Sequence, residues 1–174
     1  MAKAVIDALL ERFPKAVTAA PEGPGGDDVA FVKKEALLEA CRFLKEDPRL
    51  AFNTAPYVTA VDYLGQEPRF EVVYNLLSTV KNHRVRLRVK VAEDDAVLPS
   101  LCGVWRGADW FERYCFDMYG IRFTGHPDLR RLYMYDEFVG HPLRKDYPLR
   151  GRQPLTTELE VVEQFRGPGP AGRD

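Results

Sequence analysis

Residues 84–91 of this chain, Arg-Val-Arg-Leu-Arg-Val-Lys-Val, alternate cationic and apolar side chains without a break. Successive side chains leave a pleated backbone on opposite sides, so a period of two marks a strand with one face on a core and one in water. Val85, Leu87, Val89 and Val91 face inward; Arg84, Arg86, Arg88 and Lys90 face outward. The same period runs through Tyr57–Tyr63 and Arg69–Leu77, with Leu64-Gly65-Gln66-Glu67-Pro68 and Lys81-Asn82-His83 as turns. The spacing predicts an antiparallel meander. Its four-cation stripe reads as a solvated face, or as a charged edge that prevents sheet-to-sheet pairing. A single-stranded nucleic-acid platform would interleave aromatics with those cations, and none stands at matching positions.

Upstream, Val5, Ile6, Leu9, Leu10 and Phe13 recur at helical spacing until Pro14 stops the helix. Short strands are expected over Lys15–Ala19 and Asp28–Val32, joined by a turn-rich loop from Pro21 to Gly26. A helix over 33–46 carries Leu37, Leu38, Cys41 and Leu44 on one face, and Asp47-Pro48 ends it. These helices are the natural cover for the apolar side of the sheet. The fold class is α+β: an antiparallel sheet covered by helices, then an amphipathic helix and an extended C-terminal arm. The expected divisions are 1–104 for the sheet domain, 105–121 for the helix, 122–152 for a partner-binding arm and 153–174 for a partly disordered tail.

Composition narrows the function. A formal net charge of -1 over 174 residues gives no global attraction to nucleic acid. Cys41, Cys102 and Cys115 are scattered, without a C-x-x-C pair, which points to buried thiols and away from disulfide, zinc or iron–sulfur frameworks. No apolar run approaches membrane-helix length, and residues 1–20 are too charged for a signal peptide, so a soluble, cytoplasmic chain is expected. No phosphate-cradling glycine loop or nucleophile elbow occurs.

The segment Asp109–Pro148 carries the rest. Trp110, Phe111, Tyr114, Cys115, Met118 and Tyr119 form a wide aromatic helix stripe, and Gly120 sits where a left-handed C-cap is wanted. Asp109 with Glu112 reads as a capping box, and Arg113 with Asp117 as a one-turn ion pair. From Arg122 to Arg152 there are seven Lys/Arg, four Asp/Glu, five Phe/Tyr and three prolines. Such a stretch is too aromatic for a solvated linker and too broken to form its own core. It reads as an arm shaped by a foreign surface, with Arg130, Arg131, Arg144 and Lys145 forking onto partner carboxylates or carbonyls. Gly-His-Pro occurs twice, and His126 and His141 read as backbone or carboxylate partners at bends rather than metal ligands.

These residues resemble a known family. Glu112-Arg113 with Asp117, Tyr119-Gly120-Ile121, Gly125-His126-Pro127-Asp128-Leu129-Arg130-Arg131 and Gly140-His141-Pro142-Leu143-Arg144-Lys145-Asp146-Tyr147-Pro148 are similar to the signature of the C subunit of NADH–quinone oxidoreductase, the thirty-kilodalton subunit of respiratory complex I. Weaker likeness runs upstream through Val61-Asp62-Tyr63, Arg69–Tyr74, His83–Leu87 and Leu98-Pro99-Ser100. One departure is Tyr114, where the family usually carries the second Glu of Glu-Arg-Glu.

The resemblance implies a non-catalytic subunit of the peripheral arm, on the cytoplasmic side of the cell inner membrane. It would hold no redox group, with FMN, iron–sulfur clusters and quinone bound by partner subunits. Its partners would be the D and B subunits of the complex, which together form the quinone cavity, and its arm would pack along the first of them. Glu112, Arg113 and Asp117 on the helix are the expected interface residues, with His126, Arg130, Arg131, His141, Arg144, Lys145 and Tyr147 in the arm. The alternative is a homologous subunit of a membrane-bound hydrogenase or of an F420- or ferredoxin-linked complex.

Overall fold

A computed structural model describes residues 3–21 and 28–150. The expected tail, 153–174, and most of the Pro21–Gly26 loop lie outside the described residues. Helix α1 (Lys3–Arg12) leads into strands β1 (Val17–Ala19) and β2 (Asp28–Val32), then a 3-10 turn at Lys34–Ala36 and helix α2 (Leu37–Glu46). The meander follows as β3 (Thr54–Asp62), β4 (Phe70–Ser78) and β5 (His83–Val91). A short strand β6 (Val97–Pro99), helix α3 (Ala108–Tyr119) and strand β7 (Arg122–Thr124) complete the elements.

The five-stranded sheet runs in the order β1-β2-β5-β4-β3. The meander is antiparallel, as its alternation requires, and so is the β1–β2 hairpin. The two pieces join through parallel pairing of β2 with β5, Ala30 opposite Leu87 and Phe31 opposite Arg88, so the sheet is mixed rather than wholly antiparallel. This placement makes β5 an internal strand, which removes the edge-blocking reading of its cations. Val85, Leu87, Val89 and Val91 are buried. On the other side Arg86 donates to Asn75 at 2.8 Å and Arg88 to Glu71 at 2.5 Å, partners directly across or diagonal on β4.

One core serves α1, α2, α3 and the inner sheet face, with Phe52, Phe70, Tyr74 and Leu87 fully buried at its centre. Helix α2 buries Leu37, Ala40, Cys41 and Leu44, a stripe of the expected spacing. Helix α3 packs along β3, an edge strand of the sheet, with Phe111 against Tyr57 at 5.6 Å between ring centroids. Gly120 ends α3 in the left-handed conformation at φ 78°, and its N–H closes on the carbonyl of Phe116. β6 and β7 pair in parallel and fix the chain on either side of α3.

Candidate functional site: two buried carboxylates and the segment they anchor

Helix α3 places two carboxylates in the interior, Glu112 near its start and Asp117 near its end, both fully buried. Glu112 shares a stripe with Ala108, Cys115 and Tyr119, which faces the core. It makes no capping box: the helix starts at Gly107 without a side-chain cap. Glu112 Oε2 instead accepts from the Ser100 hydroxyl at 2.6 Å, and Oε1 from the Leu101 N–H at 2.7 Å. It ties the turn after β6 to the helix. Burial pushes its pKa up against those hydrogen bonds, which favour the charged form.

Asp117 has the opposite balance. Burial alone would raise its pKa too, but three backbone N–H groups and a guanidinium outweigh that and hold the carboxyl below its usual range. Oδ2 accepts from the N–H of Leu132, Tyr133 and Met134 at 3.1, 2.8 and 3.0 Å. Oδ1 accepts from Arg131 Nη1 at 2.8 Å. Arg131 also donates to the Phe138 carbonyl at 2.8 Å, drawing in the second Gly-His-Pro bend. The expected Arg113–Asp117 pair is therefore corrected. Arg113 stacks over Trp110 at 5.3 Å and donates to the carbonyls of Arg130 and Arg131 at 3.2 and 3.1 Å.

Both histidines bond backbone. His126 Nδ1 accepts from the Asp128 N–H at 3.0 Å, which leaves the ring proton on Nε2, 3.3 Å from the Asp109 carbonyl. His141 Nδ1 donates to the Asp117 carbonyl at 2.9 Å. Burial, with Arg144 and Arg131 nearby, keeps the pKa of His141 below the ordinary histidine value. A Cβ on Gly120 would lie 2.5 Å from His141 Nε2, so only glycine fits this contact.

The second bend is held at the end of the sheet by an ion cluster that the sequence motifs did not announce. Arg69 is almost fully buried and forks onto Asp62, both contacts at 2.9 Å, and also meets Glu93 at 2.7 Å and Asp146 at 2.9 Å. The Lys145 N–H donates to Asp62 at 2.7 Å, and Arg144 donates to the Tyr119 carbonyl at 2.7 Å. Arg144 also lies over the Phe70 ring at 5.1 Å. Tyr147 stacks on Phe138 at 5.9 Å. The signal in the sequence was Asp62, a charge on the inward parity of Val58 and Ala60.

The forks expected toward a partner are thus made within the chain by Arg131 and Arg144. The expectation that everything beyond Ile121 needs a foreign surface is corrected: through Asp146 the segment is seated on α3 and the sheet end of its own chain. Glu112 and Asp117 lie inside that structure, out of a partner's reach. The side chains of Arg130 and Lys145 do face solvent, Arg130 beside Asp128 at 2.9 Å. Tyr114 fills the place of the family's carboxylate between Tyr119 and Tyr133, edge-on to both.

Cys102, Glu112 and His126 bring one potential ligand atom each within 4.8 Å of one another. Their chemistry as placed is that of a hydrogen-bonded cluster: burial pushes the Cys102 thiol up to about 11, both Glu112 oxygens already accept hydrogen bonds, and His126 Nε2 carries the ring proton.

The comparisons with known proteins agree with the signature. The family model for the 30 kDa subunit of respiratory-chain NADH dehydrogenase matches residues 30–153. The chain belongs to this family. A relative from Geotalea uraniireducens (strain Rf4), the C subunit of an NADH-quinone oxidoreductase, is 47% identical over 153 residues, which are 87% of this chain and 92% of that one. Among solved structures, the trypsin-resistant fragment (1–134) of Nqo5 superposes with a TM-score of 0.64 at 28% identity, covering 73% of this chain and 98% of the fragment. A chain of the membrane-bound sulfane sulfur reductase, an archaeal respiratory membrane complex, shares the fold with a TM-score of 0.72 at 19% identity, covering 99% of this chain and 95% of that one. Both solved chains thus share the fold of this one. Among the described residues of this member, no helix is long and apolar enough to cross a membrane.

Proposed function

We propose that this chain is a non-catalytic scaffold subunit in the peripheral arm of a proton-translocating NADH:quinone oxidoreductase, packed against the D and B subunits on the cytoplasmic side of the inner membrane. The observation that carries this reading is the contrast between the arm's polar and apolar groups. The guanidiniums of Arg131 and Arg144 and the N–H groups of Leu132, Tyr133, Met134 and Lys145 are satisfied inside the chain, while Tyr133, Val139, Leu143 and Leu149 stand 66, 75, 43 and 99% exposed. A rigid, internally anchored rib with apolar side chains turned outward is preorganised to bury them on a neighbour at small entropic cost. FMN, iron–sulfur clusters and quinone belong to partner subunits in this reading. Cluster ligation needs accessible thiolates, whereas two of this chain's three cysteines, Cys41 and Cys115, are buried with pKa values pushed up by burial.

The test keeps the rib folded and changes only its outer surface. Arg130→Glu with Leu149→Asp should abolish co-purification with the D and B subunits and lower quinone reductase activity of the membranes, with the melting temperature of the isolated chain unchanged. Normal assembly and activity would overturn the proposal. A sulfur-reducing complex shares the fold, so the donor is tested separately: a native complex that evolves hydrogen or oxidises ferredoxin, and leaves NADH untouched, would favour the hydrogenase-type lineage.

A further inference from the structure

The outer face of the sheet carries a groove of about 580 Å³ that the reading above does not use. Strand register places Thr18, Phe31 and Arg88 in one row across β1, β2 and β5, with Phe31 as the floor. Arg88 and Lys90 lie over the Phe31 ring at 4.9 and 5.5 Å. Lys33 and Lys90 follow Phe31 and Arg88 by two residues each, on the same parity, and both line the groove. The Lys33 N–H donates to the Ala16 carbonyl at 2.9 Å, which fixes this continuation of β2 in place. Lys34 is paired with Asp95 and Arg88 with Glu71, whereas Lys33 and Lys90 are exposed and carry no ion pair among the described residues. Two ammonium groups on neighbouring strands repel each other, and an anion set between them would relieve that.

The shape says what kind of anion fits. A second depression of about 210 Å³ shares Phe31, Pro68, Arg88 and Lys90 with the first, and continues toward the β3–β4 turn at Tyr63, Gln66 and Glu67. The two form one trough across the outer face, from β1 to the far turn. An extended polypeptide fills a trough of this kind, whereas a compact small molecule would occupy one end. A single ring under two cations is no stacking platform for the bases of a nucleic acid. We propose that the trough is the docking site for an extended acidic segment of a neighbouring subunit, with carboxylates at alternate positions on Lys33 and Lys90 and an apolar side chain against Phe31. This rests on the reading above, that the chain sits among other subunits. Alternate side chains of an extended segment share one side about 7 Å apart, within reach of two long lysines on strands about 5 Å apart. Opposite charge fixes the register of such a segment, and the aromatic floor supplies its apolar contact.

The native complex provides the test. Acetylation of Lys33 and Lys90, read by mass spectrometry, should be at least about tenfold slower in the complex than in the isolated chain. Zero-length carbodiimide coupling should join one of these lysines to an Asp or Glu of another subunit, with a second acidic residue two positions away. Lys33→Glu/Lys90→Glu should abolish that link. Both side chains are exposed, so an unchanged unfolding midpoint of the isolated variant shows that the fold survives. Changing the two coupled carboxylates to Lys in the same assembly should restore the link, because the charges are then swapped rather than opposed. Equal acetylation of both lysines in the complex and in the isolated chain overturns the proposal and leaves the subunit reading intact. Shielding with no carboxylate link, or shielding that nuclease removes, also overturns it. A chain that co-purifies with no other subunit overturns both.

Discussion

The sheet and the arm beyond Thr124 are both ordered, but different forces hold them. The sheet buries whole rows of apolar side chains, and its backbone donors and acceptors are paired strand to strand. The arm buries little and forms no strand past β7 among the described residues. It is held at a few charged points: Asp117 with three N–H groups and Arg131, Arg69 with Asp62 and Asp146, and Arg144 on the Tyr119 carbonyl. Hydrophobic burial is additive and diffuse, so the sheet can lose a contact and keep its shape. A segment fixed by a few charge-assisted bonds depends on each of them, because removing one partner leaves a buried charge unpaired. The anchors also point one way: the groups that hold the arm stand on α3 and at the end of the sheet, so the arm has no place to sit without them.

The largest effect expected follows from that direction. Phe52 is fully buried, and its carbonyl accepts from the Trp105 indole at 3.1 Å. Phe52→Ala should cost about 3–5 kcal/mol in denaturant unfolding. Amides of the sheet and of the arm should lose protection together. An arm that kept its protection while the sheet lost it would break the proposed dependence.

Asp117→Ala is next, at about 3 kcal/mol, the loss expected when one partner of a buried pair is removed. Here the two regions should separate. The N–H groups of Leu132, Tyr133 and Met134, which bond this carboxylate, should exchange much faster, while β4 and β5 stay protected. Uniform loss across both regions would show that the arm and the sheet are one cooperative unit. Gly120→Ala should fall below it, at about 1–2 kcal/mol for forcing a side chain into the left-handed region. The added Cβ would also meet His141 and Arg144, so exchange near residues 141–147 should rise with it.

What could be read in advance followed the same division. The meander was legible because burial on one face imposes a period of two, and β3, β4 and β5 lie within a few residues of the expected bounds. The parallel pairing of β2 with β5 was not, since nothing local marks a contact between strands some fifty residues apart in the chain. In the arm, the density of rings and cations was plain, but its acceptors were not. Arg113, Arg131 and Arg144 bond backbone carbonyls, which every residue has and no letter announces. The buried carboxylates did leave a trace: Glu112 stands on the helix stripe of Ala108, Cys115 and Tyr119, and Asp62 on the inward parity of its strand. A charge at a buried position was the sign of an internal anchor rather than of a partner surface.

The smallest effect tests the comparison by pH alone. His141 has a folded-state pKa below its unfolded value of about 6.5, because burial and neighbouring guanidiniums disfavour its charged form. Its contribution is therefore complete above about pH 6.5 and is lost as the pH falls toward the folded value, since the unfolded chain binds the proton first. Asp117, with a lowered pKa, contributes above about pH 3.9 and stays charged through the same window. Glu112 runs the other way: its raised pKa makes acidification favourable to the buried form. Moving from pH 7 to pH 5 should loosen the second Gly-His-Pro bend and leave the turn at 100–104 as firm as before. Exchange rates, corrected for the intrinsic effect of pH, should rise near residues 141–147 and not near 100–104. His141→Gln keeps a donor without a titrating group and should remove the difference. If the variant responds to pH as the unaltered chain does, the bend is loosened by a group other than His141, and not by Asp62 or Asp146, whose carboxyls the Arg69 guanidinium holds below their usual range through the same window.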